Sequence, residues 1–365
     1  MSEYKGIKGY SIQSLNQDAK KVFPGEVPNT GQVWFAPDEF FYLQKNTAVG
    51  TWSTVNNMNT GRNNLAGAGT QTSALAFGGS IPPQTAATEK YDGTNWTTVT
   101  SMNTARSGLA GAGTQTSALA FGGFTPPQTA ATEKYDGTNW TTVTSMNTAR
   151  RDLGGVGTQT SALAFGGSIP PSTTATEKYD GTNWTTVNAM TTARLSATGA
   201  GTQTSALAFG GPTTATEKYD GTNWTTVNAM NTARPGLAGA GTQTAALAFG
   251  GATPTITGAT EKYDGTNWTS VNSMNTARSS PGGAGTQTSA LAFGGSIPPS
   301  STTATEKYDG TNWTTVTSMN TARLQLAGAG TQTSALAFGG GPPASAVTEE
   351  WTLPTSVTVY TVTIS

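Results

Sequence analysis

The chain has 365 residues, a net charge of −1 and only 11% charged residues, a balance that argues against a nucleic-acid partner, which calls for a basic excess. It contains no Cys and no His, which removes disulfides, thiol nucleophiles, imidazole bases and the common thiolate or imidazole metal sites. Disordered chains share the low charge but lack the aromatics found here, 9 Trp, 12 Phe and 10 Tyr, which recur at fixed intervals.

Residues 1–50 stand outside any repeat. Met1 to Lys21 is polar, with no apolar core of signal-peptide type, and no run of 18 apolar residues occurs anywhere, so neither a secretion leader nor a membrane span is expected. One aromatic stretch, Trp34-Phe35 followed by Phe40-Phe41-Tyr42-Leu43, reads as a short hairpin. Such a hairpin is marginal alone, so it is expected to dock, through Trp34, Phe35, Phe40, Phe41 and Tyr42, on the rest of the chain or on another subunit.

From residue 51 the sequence is repetitive. Leu-Ala-Phe-Gly-Gly occurs seven times, with its Phe at 77, 121, 165, 209, 249, 293 and 338, spaced by 44, 44, 44, 40, 44 and 45 residues. A period of roughly 40–50 residues suits one four-stranded propeller blade. In the unit Leu109 to Met146, Leu109 to Gly113 is the small innermost strand and Gly-Thr-Gln-Thr (113–116) turns the chain. Ser117 to Phe121 then places Leu119 and Phe121 on one face and Ala118 and Ala120 on the other, so that large faces small between neighbouring blades. Thr132 to Tyr135 is the third strand, Asp136-Gly137-Thr138-Asn139 a hairpin turn, and Trp140 to Thr144 the outer strand. Burying Trp140 and Tyr135 between blades stabilises each by about 1.5–3 kcal/mol.

The outer-strand Trp occurs at 96, 140, 184, 224, 268 and 313, one fewer than the Phe-Gly-Gly units. The last unit ends at Val347-Thr348-Glu349-Glu350-Trp351, while Thr51-Trp52-Ser53-Thr54-Val55 matches an outer strand with no blade of its own. Joining them removes two exposed sheet edges, so Trp52 is expected in the same blade as Phe338. The expected fold is therefore all-β: a seven-bladed β-propeller over 51–354, preceded by a docking segment (1–50) and followed by a strand-like tail (355–365). The tail, Val357 to Ile364, alternates Val, Tyr or Ile with Thr and needs a partner, either the N-terminal segment or a neighbouring chain.

The Gly-Gly pair closing the second strand, then Tyr-Asp, Trp and Met-x-x-x-Arg (Gly122-Gly123, Tyr135-Asp136, Trp140, Met146 to Arg150), resembles the kelch family over about residues 51–351. That resemblance implies a propeller that binds other proteins, a minority of such domains being enzymes. The near-identical units and the phrase Ala-Gly-Thr-Gln-Thr-Ser-Ala-Leu-Ala-Phe-Gly-Gly resemble virion-associated proteins of marine tailed phages. Gly31-Gln32-Val33-Trp34-Phe35 with Phe40 to Leu43 is similar to hairpin modules of phage fibre and appendage proteins. The resemblance implies a structural protein of a virus particle (tail, fibre or decoration), located in the virion after assembly in the host cytoplasm. Its expected partners are other virion proteins through the N-terminal segment, a host-surface glycan or protein, and further copies of the chain. A non-viral microbial propeller binding glycans or peptides is the alternative. No catalytic residue, metal or cofactor is expected, and neither nucleic-acid binding nor membrane insertion.

One Arg recurs per unit: Arg62, Arg106, Arg150, Arg194, Arg234, Arg278 and Arg323. The kelch resemblance implies contact with acidic ligands there, which guanidinium suits. An internal pair with the recurring Glu (89, 133, 177, 217, 261, 306, 349) is the other reading. The Asp-Gly-Thr-Asn turns resemble the Asp-box of sialidase-like propellers, but Asp and Trp are four residues apart rather than five, and hairpin chemistry alone explains them. The copies differ chiefly in two connections: the second-to-third strand loops (such as 80–87, 124–131 and 212–215) and the residues after each Arg. Both should emerge on one face, where diversity is what a contact surface would show. Phe124, Arg151 and Asp152 are the candidate contact residues there, Asp152 being the one carboxylate that departs from the repeat.

Overall fold

Four-residue strands set the scale of the molecule. The computed structural model describes residues 49–354, with the backbone of Val33–Phe35, Phe40–Lys45 and Thr358–Thr363. It divides into two compact units, one formed by Met1–Gly50 with Leu353–Ser365 and the other by Thr51–Thr352. In the first, Val33–Phe35, Phe40–Lys45 and Thr358–Thr363 form a three-stranded sheet in that order, Phe40–Lys45 in the centre and antiparallel to both neighbours. The side chains of Trp34, Phe35, Phe40, Phe41 and Tyr42 lie outside the described residues, and so does their expected docking role.

The second unit is a seven-bladed β-propeller of four-stranded antiparallel sheets, with no helix among the described residues. Blade 2 is typical: Ala110–Gly113, Ala118–Phe121, Thr132–Tyr135 and Trp140–Val143 pair in sequence order from axis to rim. The period-2 alternation of Ala118–Phe121 has two buried faces. Leu119 and Phe121 point into blade 3, against Ala162, Ala164, Tyr179 and Trp184. Ala118 and Ala120 take up Leu75 and Phe77 of blade 1. Each outer-strand Trp lies against the preceding blade's Phe, with centroids 5.1–5.3 Å apart, and donates its indole N–H to a threonine there, as Trp140 does to Thr88 Oγ1 at 2.9 Å. Aromatic contact and a satisfied indole are thus supplied by one residue type per unit.

Closure occurs where the spare strand was expected. Thr51–Thr54 pairs antiparallel with Thr348–Thr352, Trp52 opposite Trp351, in the sheet that contains Phe338. Trp52 is buried and donates to Thr305 of blade 6, reproducing the other joints with strands nearly three hundred residues apart in sequence.

The glycines of the innermost strands have a reason the sequence alone did not give. A Cβ on Gly111 would stand 2.7 Å from Phe77 Cζ of the neighbouring blade, and on Gly67 the same distance from Phe338 Cζ. The Phe ring that fills each joint ends against glycine backbone near the axis. Gly111→Ala is therefore an overpacking change, expected to cost about 1–3 kcal/mol in urea unfolding despite the higher strand propensity of alanine.

Candidate binding face

The antiparallel blades sort their connections onto two opposite faces. One face carries the Gly-Thr-Gln-Thr and Asp-Gly-Thr-Asn turns, which sit side by side: a Cβ on Gly137 would be 3.3 Å from Thr116 O. Asp136 Oδ1 accepts from the backbone N–H of Thr138 and Asn139 at 2.8 and 2.7 Å, and these bonds, Asn139 first, hold its carboxyl below the usual aspartate value. Hairpin chemistry engages the Oδ1 oxygen of the carboxylate, as in the other five turns. Gln115 crosses from its turn to the carbonyls of Ala74 and Tyr91 of blade 1, and Lys134 Nζ reaches Gly181 O of blade 3. This face, uniform in sequence, is spent on tying blades together.

The opposite face carries the connections that differ between units. They meet there in short bridges: Asn63 with Ser80, Ser107 with Phe124, Arg151 with Ser168, Ser279 with Ser296 and Leu324 with Gly341. The exposed large hydrophobics of the propeller unit are also here, Ile81, Ile169 and Leu195, each about two-fifths accessible (39%, 39% and 42%).

The seven recurring arginines are not part of that surface. Arg62, Arg106, Arg150, Arg194, Arg234, Arg278 and Arg323 are 0–2% exposed and pair with Glu89, Glu133, Glu177, Glu217, Glu261, Glu306 and Glu349 at 2.5–3.2 Å. Their expected role as ligand contacts is corrected by this geometry, since the guanidinium donors face inward. Arg106, for instance, donates to the carbonyls of Ala120, Gly122 and Ala131 as well as to Glu133. Burial pulls the Arg62 and Arg106 guanidinium groups down to about 10, partly offset by the paired carboxylates, so both stay protonated at neutral pH. Each glutamate has a second task. Glu133 accepts the backbone N–H of Asn103 and Thr104 at 2.5 and 3.2 Å, fixing the segment that leads from the outer strand of blade 1 to the inner strand of blade 2.

Phe124, Arg151 and Asp152, drawn from two different blades, are brought together. The Arg151 guanidinium carbon lies 4.8 Å from the Phe124 ring centroid, a cation–π geometry, and Arg151 Nε is 3.8 Å from Asp152 Oδ2. That separation exceeds a hydrogen bond, and Arg151 Nε has no hydrogen-bond partner among the described residues. Both charged side chains are partly exposed, 38% and 41%. Burial pushes the Asp152 carboxyl above its ordinary value, against the pull of Arg151. Phe124 bridges Ser107 and Gln128, leaving Thr125 to Pro127 at the tip of its loop.

One feature of this face escaped the sequence reading. The second residue after each Arg, namely Asn64, Gly108, Asp152, Ser196, Gly236, Ser280 and Gln325, is in the left-handed region, with φ of 48–67°. Gly108 N donates to Asn64 O, Asp152 N to Gly108 O, Ser196 N to Asp152 O and Ser280 N to Gly236 O, at 2.6–3.1 Å. A partial collar of main-chain bonds thus links successive blades. The signal was present, for Gly, Asn and Asp hold four of the seven places and are the residues that tolerate positive φ. Along the axis runs a cavity of about 390 Å3 lined by inner-strand residues such as Gly67, Ala68, Gly111 and Ala112, which offer backbone and methyl groups but no charge.

No family model matches the sequence, and no curated protein does. Among solved structures, that of YjhT aligns with 83% of this chain and 99% of its own at a TM-score of 0.54 and 12% identity. What is shared is the propeller. At that identity the likeness is one of fold, and the site must be argued from its own residues.

Proposed function

We propose that this chain is a kelch-type, non-catalytic structural protein of a virus particle. In this reading the N-terminal segment attaches to other virion proteins and the propeller presents its variable face for assembly contacts or for a host-surface molecule. The observation that carries the reading is the division of labour between the two faces. The uniform turns are consumed by contacts between blades, whereas the connections that differ from unit to unit share the opposite face with Ile81, Ile169 and Leu195. Loops that merely closed the ring would have no reason to gather exposed apolar groups on one side. The repeat phrase and the aromatic N-terminal segment, with their likeness to phage particle proteins, supply the viral context. Density-gradient sedimentation of particles followed by mass spectrometry tests it. The chain is expected to co-sediment in fixed stoichiometry with the major particle proteins; recovery only as a free monomer in the lysate supernatant overturns the viral role.

A further inference from the structure

We infer that Phe124, Arg151 and Asp152 form a subsite for a neutral carbohydrate on the variable face. The inference rests on reading that face as the contact surface, but not on the particle to which the chain belongs.

The three residues coincide at the junction of blades 2 and 3, and no other junction has their like. At the Phe124 position the sibling blades carry Ser80, Ser168 and Ser296; at the Arg151 position, Ser107 and Ser279; at the Asp152 position, Gly108 and Gly236. An architecture met six times without an aromatic, a cation and a carboxylate at these places does not require them. Their positions are nonetheless well fixed. Arg151 exchanges two main-chain hydrogen bonds with Ser168, Phe124 two with Ser107, and Asp152 lies mid-collar, bonded to Gly108 on one side and Ser196 on the other. A site held by main-chain bonds loses little freedom on binding.

The chemistry of the ligand follows from charge and unspent hydrogen-bonding capacity. Arg151 is oriented by the Phe124 ring and by Asp152, yet across the 3.8 Å gap its buried Nε is left without a hydrogen-bond partner among the described residues. An anionic ligand at Arg151 meets the Asp152 carboxylate at once, and a cationic ligand at Asp152 meets the guanidinium. A pair of hydroxyls suits both groups, because each hydroxyl donates to a carboxylate oxygen and accepts from an N–H. Apolar groups lie close in the chain: Ile169 follows Ser168, which bridges Arg151, and Leu195 precedes Ser196, which bonds Asp152 O. A sugar offers that combination, hydroxyls on its edge and C–H groups on its face.

The repeat itself supplies the control, since Phe124→Ser, Arg151→Ser and Asp152→Gly install residues that sibling blades already carry in the same backbone positions. The full chain and this triple variant would be titrated calorimetrically with neutral oligosaccharides of glucose, galactose and mannose, and with acidic ones for comparison. At least one neutral oligosaccharide is expected to bind the native chain. The triple variant should bind it more weakly by about tenfold or more, the loss that follows removal of charge-assisted hydrogen bonds, with an unchanged unfolding midpoint. Binding that survives the triple change, selectivity for acidic sugars, or no binding of any neutral oligosaccharide overturns the subsite. Should the chain fail to sediment with particles while the sugar still binds, the viral reading falls and the subsite stands.

Discussion

Replacing Glu133 with glutamine is expected to lower the unfolding free energy by about 3–5 kcal/mol, the cost of leaving a buried charge without its partner. The change is one atom in size, so packing is conserved and the loss is electrostatic. Arg106 remains at 0% exposure, with carbonyl acceptors but no carboxylate. The new amide also turns its N–H₂ either toward the N–H of Asn103, leaving one neutral oxygen for Thr104 and Arg106, or toward the donors of Thr104 and Arg106 themselves. Replacing both partners by apolar residues, often nearly neutral for a buried ion pair, fails here because two backbone N–H groups would lose their acceptor. The partly exposed Arg151–Asp152 pair is the internal contrast, worth about 0–1 kcal/mol because solvent screens it. Urea unfolding of E133Q, R106M and the double variant, read as a coupling energy, checks the argument; E133Q within about 1 kcal/mol of the native chain would show that the pair carries little.

The second large effect concerns closure. Trp52→Ala and Trp140→Ala remove the same side chain from equivalent positions, each buried to 5% and each bonded to a threonine of the preceding blade. Both should cost about 3–5 kcal/mol by the usual large-to-small arithmetic. Their consequences differ. Trp140 lies in a strand joined to its blade by a four-residue turn, whereas Thr51–Thr54 is held only by Thr348–Thr352 and the flanking joints. Once Trp52 is gone, the strand can leave as a unit without unfolding the other six blades. Limited proteolysis is therefore expected to cut W52A near residues 50–60 under native conditions, while W140A stays resistant until global unfolding. Equal resistance of the two variants would show that the closing strand is not the ring's weakest element.

The propeller was legible because its signals were local and repeated. The alternation in Ser117–Phe121, the Asp136-Gly137 turn and the count of Trp against Phe-Gly-Gly units each encode geometry within a few residues. Trp52's destination could be read despite the distance because one strand was spare and one place empty. The reason for Gly111 could not be read, because it depends on where the Phe77 ring of another blade ends. The arginines were harder still. Met-x-x-x-Arg fixes their position along the chain but not whether the guanidinium faces a ligand or Glu133, a choice made by the fold of the connecting segment. Phe124 and Arg151 are 27 residues apart, and only the lateral packing of blades 2 and 3 stacks one on the other. Of the candidate site the sequence marked the members, and the structure made them neighbours.

The pairing of Thr51–Thr54 with Thr348–Thr352 also orders events during synthesis. The strand leaves the ribosome first and waits through nearly the whole of translation before its sheet exists. The entropy of closing so long a loop rises only with the logarithm of its length, so the finished chain captures it readily. The hazard lies in the interval, because Thr51-Trp52-Ser53-Thr54 is close in sequence to the outer strand of every blade. On a crowded polysome the waiting segment can be accepted by the unfinished last blade of the chain ahead, and subunit exchange of this kind is the misassembly to which this architecture is most exposed.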